Sequence, residues 1–504
     1  MATKVQVDND NRGVKNLCNL LIFIGCIVYR FYSMSKHKET PKNETDILEE
    51  YDIFSISCYA FMLLFFSLIG PQIVMTLIGL VYLGPFDKTQ IKTNFWNTKL
   101  PFICIRVVTR GTYPQLVREN VVKNIDIIKK CGIKDFVVEV VTDQPLYIHT
   151  LLQEYKQNFV ETIVPVNYKS KFDTRKKARA LQYCLEDGVN SLSDDDYVVH
   201  LDEETLLTYD SMKGIINFVT EGKHRIGQGI ITYGILPSPS SESFTWFQHH
   251  LCTISDSLRV ADDIGKNKAQ FQVLHKPYFG MKGSFVVTKF EAERKVTWDF
   301  GPEGSVAEDA WFGLVAIDLG YTIDFIEGDM LERSPFTLFD FIKQRQRWMQ
   351  GLFMVAFLSN INPKTKIFLI MSVSSWLVSP LYSVTIILQK FVLLNPPGLI
   401  VVVQRFLEFY FVYLHVVGYL RQFKFTLRKF MFLVPNIFLG CLSNVILENA
   451  ATLLAIKSLC TGDCYGFHVV QKEVLRDSIS PQKTCKEISN GFYNNNVTKH
   501  EKQR

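Results

Sequence analysis

The sequence predicts an α/β domain with a mostly parallel sheet, flanked by transmembrane helices. Three observations predict it. Hydrophobic residues make up 47% of the 504 against 21% charged, and they gather into long runs toward both ends. Between those runs, short β-rich stretches alternate with stretches of helical periodicity. Acidic residues then stand just past the predicted strand ends, where open α/β sheets bind ligands.

The apolar runs set the organisation. Residues 17–31 follow Arg12 and Lys15 and pass into Tyr29-Arg30-Phe31-Tyr32. No small-residue cleavage site intervenes, so the run reads as a signal anchor. Residues 53–83 are almost free of charge, and about 20 apolar residues cross a bilayer. Runs at 367–394 and 430–459 flank a weaker one at 399–420, which carries Gln404, Arg405 and Glu408. Two readings of the weaker run stand open. It is a third C-terminal span with an Arg–Glu pair one turn apart, or an interfacial helix. The first reading puts the tail in the lumen, with a sequon at Asn496, and the second puts it in the cytosol.

Arg421, Lys424, Arg428 and Lys429, like Lys4, Arg12 and Lys15, belong on the cytosolic side by the positive-inside rule. The expected layout is a membrane region over 1–94 with two spans and a cytosolic domain over 95–337. An interfacial helix over 338–362, a second membrane region over 363–459 and a tail over 460–504 follow. The sequon Asn43-Glu44-Thr45 lies in the expected luminal loop.

Composition excludes other classes. Fifty-five basic against 50 acidic residues leave a net charge of +5, with no dense basic stripe carrying aromatics. No nucleic acid partner is expected. Eleven scattered cysteines do not make a disulfide scaffold. Cys460, Cys464 and His468 have only distant Cys485 to complete a zinc set, so no structural zinc is expected there.

In the middle of the chain, strands are predicted at 101–108, 135–141, 162–166 and 197–201, with helices at 115–131, 151–158 and 174–186. The first strand is not followed by G-x-G-x-x-G, which disfavours a dinucleotide enzyme. The fourth strand runs into Asp202-Glu203-Glu204. In an extended chain Asp202 and Glu204 point the same way, and paired hard oxygens suit Mg²⁺ or Mn²⁺ holding a diphosphate. A solvated acidic turn explains the pair equally simply. Asp194-Asp195-Asp196 precedes that strand, at the wrong end of the sheet, and reads as a solvated loop.

Asp143 closes the second strand, either to hold a nucleoside or to form an Asx-turn before Pro145. Lys177 sits near a helix N-terminus, where anions bind. Glu308 and Asp309 open a helix. Asp309 either takes a proton from an attacking hydroxyl or simply matches the helix dipole. Gln344-x-x-Arg347-Trp348 lies on a basic, amphipathic stretch before the membrane. There the arginine suits a diphosphate and the ring suits a sugar, or the whole stretch is a snorkelling interfacial helix.

Strand-end Asp143, Asp202-x-Glu204, Glu308-Asp309 and Gln344-x-x-Arg347-Trp348, in this order between membrane segments, resemble the family 2 membrane glycosyltransferases. That group includes the cellulose, chitin and hyaluronan synthases. The stretches VHLDEETLL (199–207), GIINFV (214–219), GSVAED (304–309), GYTIDFIEG (320–328), SPFTL (334–338) and FHVVQK (467–472) are most similar to egghead-type β-1,4-mannosyltransferases of glycosphingolipid synthesis. The resemblance spans about residues 95–475.

It implies a GT-A-type nucleotide-sugar transferase domain that moves mannose with inversion from GDP-mannose to a glucosylceramide-type lipid in β1,4 linkage. It implies a divalent cation, Mn²⁺ or Mg²⁺, on Asp202 and Glu204, and Asp309 as base supported by Glu308. Donor contacts would come from Asp143, Lys177, Asp202, Gln344, Arg347 and Trp348. The implied setting is a multi-pass protein among the lipids of ER or Golgi membranes, its catalytic domain facing the cytosol. Two departures stand out: an inserted PSPSS at 237–241, and Glu204 where the wider family most often has Asp. A processive polysaccharide synthase, a lipid-phosphate sugar transferase and a non-enzymatic membrane scaffold remain the alternatives.

Overall fold

The structure is a computed structural model. It describes residues 53–86, 100–147, 153–234, 243–391, 396–423 and 431–462, with isolated helical positions between 16 and 28. The sequon at Asn43, the 237–241 insertion, Lys424, Arg428, Lys429 and the tail with Cys464, His468, Cys485 and Asn496 lie outside the described residues.

Seven strands form one sheet: β1 (Ile103–Thr109), β2 (Phe136–Thr142), β3 (Phe159–Ile163), β4 (Tyr197–Asp202), β5 (Ile226–Tyr233), β6 (Val286–Lys289) and β7 (Ile323–Glu332). Their order is β3-β2-β1-β4-β6-β5-β7. Only β6 runs antiparallel to its neighbours. Almost every residue of β1, β2, β4 and β5 is buried, as parallel strands covered on both faces must be.

One face packs on α1 (Pro114–Lys130) and α2 (Tyr209–Glu221). There Ile103, Ile105, Val138, Val140 and Val199 meet Val117, Val121, Ile125 and Ile215. Pro114 starts α1 where a missing N–H costs nothing. A Thr208–Ser211 capping box starts α2, and left-handed Gly222 ends it. The other face packs on α3 (Lys176–Tyr183), α4 (Phe290–Val296) and α5 (Glu308–Asp318), through Leu181, Val296, Trp298 and Phe312.

The third strand starts three residues before its predicted place. Asn158 ties the preceding 3-10 turn to the start of β2 by donating to the Phe136 carbonyl (3.2 Å), and Pro165, without an N–H, stops the ladder. The helix predicted over 174–186 shrinks to α3, because Thr174 and Arg175 spend their polar groups on Ser305 instead.

Polar residues in the centre of the sheet are paired with care. Arg106 of β1 stands beside Glu139 of β2 and His200 of β4. Its Nε donates to Glu139 (2.7 Å) and its Nη1 to Glu293 of α4 (3.1 Å), and all of these groups are buried. His200, Thr288 and Trp298 also donate to Glu293 at 3.0, 2.7 and 2.9 Å. Burial alone would raise Glu293, but His200 and Arg106 outweigh it and hold the carboxyl at about 2.

Among the described residues, four helices are long and apolar enough to cross a membrane: Ile53–Tyr82, Pro363–Gln389, Gly398–Gln422 and Leu433–Thr461. The described positions of the first apolar run join them, since Asn19 donates to the Leu80 carbonyl (3.0 Å) and accepts from Tyr413 (3.0 Å). The weak run forms a full helix. Its Arg405 and Glu408 pair at 2.8 Å, which lowers the cost of carrying them. At its end Arg421 binds Asp329 of β7 (2.6 Å), so this basic end lies against the α/β domain. The last helix runs along the domain's amphipathic helices, with contacts from Asn436–His250 to Ser458–Gln346.

Arg106→Met leaves Glu139 and Glu293 buried without their shared cation. It is expected to cost about 3–5 kcal/mol, read by thermal unfolding of the full-length protein in detergent. A melting temperature equal to that of the unaltered protein would contradict this role for Arg106.

Candidate active site

The carboxyl ends of the parallel strands open onto one rim. Asp202 ends β4, Glu332 ends β7, and Asp143 and Arg110 follow β2 and β1 directly. The Asp202–Glu204 pair reaches the rim differently from the extended arrangement predicted for it. Thr205 N–H donates to the Asp202 carbonyl (3.0 Å), so 202–205 is a hydrogen-bonded turn. The middle acid, Glu203, turns inward. It is buried, accepts from the Thr109 hydroxyl, and its carbonyl accepts from Asn120 (2.9 Å), which pins this turn to the end of β1.

Lys177 is the hub. Its Nζ donates to Asp202 Oδ1 (2.5 Å) and to the Gly283 carbonyl (2.8 Å), and lies 3.9 Å from Glu308. Gly283 is the point where the groups converge. A Cβ there would stand 3.0 Å from Lys177 Nζ, 3.3 Å from Asp309 Oδ2 and 3.5 Å from Glu308 Oε1. A side chain there would crowd all three groups.

Arg347 arrives by a second close approach. It lies on α6 (Leu338–Phe353), which starts from a Thr337 cap accepting Asp340 N–H at 3.0 Å. Gly351, one turn beyond Arg347 on the same face, lets this helix cross within contact of Ala307, the residue before Glu308. Burial lowers the Arg347 guanidinium from its ordinary value, and Glu308, Asp202, Asp309 and Glu204 oppose that fall.

The charges divide into two groups. Glu308 is pushed up to about 7, first by burial and then by Asp309. Burial raises Asp309 as well, against a hydrogen bond from Ala310 N–H (2.8 Å) and the charge of Lys177. Glu332 is pushed up to about 7 by burial, then by Glu204 and Asp202, while Thr205 donates to it at 2.6 Å. Lys177 stays charged, because Asp202 and Glu308 outweigh its burial. Lys176 is pulled down to about 8 by burial, then by Arg347 and Arg110, which marks a cluster of three cations beside the acids.

The predicted residues therefore separate. Asp202, Glu204, Lys177, Glu308, Asp309 and Arg347 come together. Asp143 stands on the rim half-exposed and bound to Arg179 (2.9 Å); Thr142, not Asp143, caps the following turn. Gln344 accepts from Arg345 (2.9 Å). Trp348, expected against a sugar, instead packs on the guanidinium groups of Arg259 and Arg345, 4.0 and 4.1 Å from its ring centre. Arg345 in turn is held by Asp256 and Glu448, so this tryptophan anchors α6.

Asp194 and Asp195 are exposed and tied to Arg294 and Lys289, as the loop reading expects. Lys176, Arg110 and Glu332 were not foreseen. Arg110 satisfies the same strand-end rule that selected Asp143, and Glu332 does so once β7 is known.

A model of the family described as "Glycosyl transferase family group 2" matches residues 197–474. The chain belongs to this family. It is a glycosyltransferase with a GT-A-type domain. It is 40% identical over 462 residues to beta-1,4-mannosyltransferase egh of Drosophila melanogaster, covering 91% of this chain and 96% of that protein. It is 38% identical to beta-1,4-mannosyltransferase bre-3 of Caenorhabditis elegans, covering 90% and 96%. Among solved structures, it resembles the Pyrobaculum calidifontis mannosyltransferase PcManGT in complex with GDP-Man and Mn²⁺, at 14% identity and a TM-score of 0.45, over 77% of this chain and 98% of that one.

In this glycosyltransferase, Asp309→Asn preserves the shape of the cluster while removing a proton acceptor. Turnover is expected to fall about 100- to 10,000-fold with the donor's KM little changed. Near-normal kcat would remove Asp309 from the role of base.

Proposed function

We propose that this glycosyltransferase moves mannose from GDP-mannose to a glucosylceramide-type glycolipid, forming a β1,4 linkage with inversion. The observation that carries the reading is the 40% identity to a named β-1,4-mannosyltransferase across 96% of that protein. The gathered site supports it.

Asp202 and Glu204 would hold a divalent cation. Their donors are all hard oxygens and Glu332 stands close by, a set that fits Mg²⁺ or Mn²⁺. Such an ion, when bound, supplies positive charge to the diphosphate leaving group. Lys177 holds the Asp202 carboxylate in place and contributes its own charge beside it. Arg347, Lys176 and Arg110 meet the diphosphate from the other side, where fixed cations favour a departing anion. Asp143, steadied by Arg179, faces the nucleoside from the rim. Asp309 accepts the proton of the acceptor hydroxyl. The oxygen then bonds to the anomeric carbon as the bond to the diphosphate breaks on the opposite face. Glu308, beside Asp309 at the start of α5, supports it.

The lipid acceptor reaches this site from the bilayer. Phe244, Trp246, Phe247 and Phe339 are exposed on the helices beside the last apolar segment, a surface suited to lipid. Arg421, which begins the basic run Arg421–Lys429 of the sequence, contacts Asp329 of the α/β domain, and by the positive-inside rule this supports a cytosolic catalytic domain. An ER or Golgi membrane, where glycolipids are built, is the proposed location.

Purified full-length protein given labelled GDP-mannose and glucosylceramide should yield a mannosylated lipid, whereas UDP-sugars should yield none. Excess EDTA and Asp202→Ala should each abolish the product. Transfer from a UDP-sugar alone would refute the donor, and full activity in EDTA would refute the cation.

A further inference from the structure

The opposite end of the sheet carries a second cluster. His224 stands just before β5, His275 follows the π-helical turn Gln270–Leu274, and Asp324 is the second residue of β7. One ring nitrogen from each histidine and one carboxylate oxygen lie within 4.8 Å of one another. Asp324 and Glu332 are eight positions apart on β7, about 26 Å for an extended strand. The cluster is therefore remote from the transferase site.

Its three parts are held by backbone. β5 and β7 pair in parallel with Gly227 opposite Asp324, and Ile323 N–H donates to the His275 carbonyl (3.0 Å). The two imidazoles stack with centroids 4.5 Å apart and planes 21° from parallel. Each ring is also steered by an oxygen. His224 Nδ1 hydrogen-bonds Thr322 Oγ1 (2.8 Å), and His275 Nδ1 faces the Ile323 carbonyl (3.3 Å) and Asp324 Oδ1 (3.7 Å). Metal-binding histidines are oriented in this way, one nitrogen fixed by an oxygen and the other left for the ion. His275 does so from a left-handed backbone (φ 53°), a conformation that non-glycine residues adopt at a cost. All three side chains are partly exposed, so an ion can enter from solvent.

We propose that His224, His275 and Asp324 form a binding site for one borderline transition-metal ion, with Zn²⁺ as its best-fitting occupant. Two imidazoles and a carboxylate are zinc ligands, and water completes a tetrahedron. Bound there, the ion ties the starts of β5 and β7 to the segment ending at His275. It stiffens the half of the sheet that carries Glu332 without touching substrate.

The test uses chelator-stripped full-length protein and Zn²⁺ alone. Titration calorimetry is expected to find one equivalent bound in Asp202→Ala, where the transferase site has lost an acid. His224→Ala and His275→Ala should each weaken that binding by more than about tenfold, since loss of even an outer-shell partner costs as much. Zn²⁺ should also raise the melting temperature of Asp202→Ala, and His224→Ala should keep its Mn²⁺- or Mg²⁺-supported transferase activity. Asp324→Asn serves as the second variant if a histidine variant does not fold. Unchanged Zn²⁺ affinity in the His224, His275 or Asp324 variant, or loss of Zn²⁺ binding in Asp202→Ala, overturns the proposal.

Discussion

A guanidinium enclosed beneath a parallel sheet must find carboxylates, and Arg106 finds two. Glu139 and Glu293 draw β1, β2 and α4 together, and His200 of β4 closes on Glu293. From Glu293 the hydrogen bonds continue outward. Trp298 donates its ring N–H to Glu293, and its carbonyl accepts from Thr174 (3.3 Å). Thr174 shares a hydrogen bond with Ser305, whose hydroxyl also accepts Arg175 N–H (2.7 Å). Lys177 lies two residues past Arg175, and Glu308 three past Ser305. The buried ion network thus fixes the two segments that deliver the hub lysine and the acidic pair to the rim.

On that rim burial pushes Glu308, Asp309 and Glu332 upward, the neighbouring acids add to the rise, and Lys177 holds Asp202 beside them. Lys176, Arg110 and Arg347 crowd one another beside them. A donor that brings both a diphosphate and a bound cation relieves the two repulsions at once. The close crossing at Gly351 holds α6, with its Arg347, against the residue before Glu308, and Arg345–Glu448 ties α6 to the last apolar helix. The site is thereby anchored to the apolar helices.

Much of this was legible in the sequence because burial leaves a strong pattern. The runs that became β1, β2 and β4 are apolar on both faces, and their ends point to Asp202 and Asp143 without any structure. The acids of GSVAED and Arg347 of Gln344-x-x-Arg347-Trp348 could be chosen from their chemistry. What escaped depends on contacts far apart in the chain. β5 hides behind two glycines, β6 is four residues long and reversed, and Glu332 could not be placed before β7 was known. The geometry of Asp202 and Glu204 was set by a turn hydrogen bond, not by strand alternation. Trp348 packs on Arg259, 89 positions away in sequence, a contact with no signal in the residues around it. His224 and His275 carry no local signal at all, since the sheet order alone brings them together.

The proposed transfer is a single inverting displacement, with a base on the face opposite the leaving diphosphate, and the anomeric configuration of the product decides whether it occurs. GDP-mannose carries its sugar in α linkage, so the expected product is a β-linked mannosyl lipid, read from the anomeric carbon–proton coupling in the NMR spectrum of isolated product. An α-linked product would contradict this reading, because a single back-side displacement on an α-linked donor inverts the anomeric carbon.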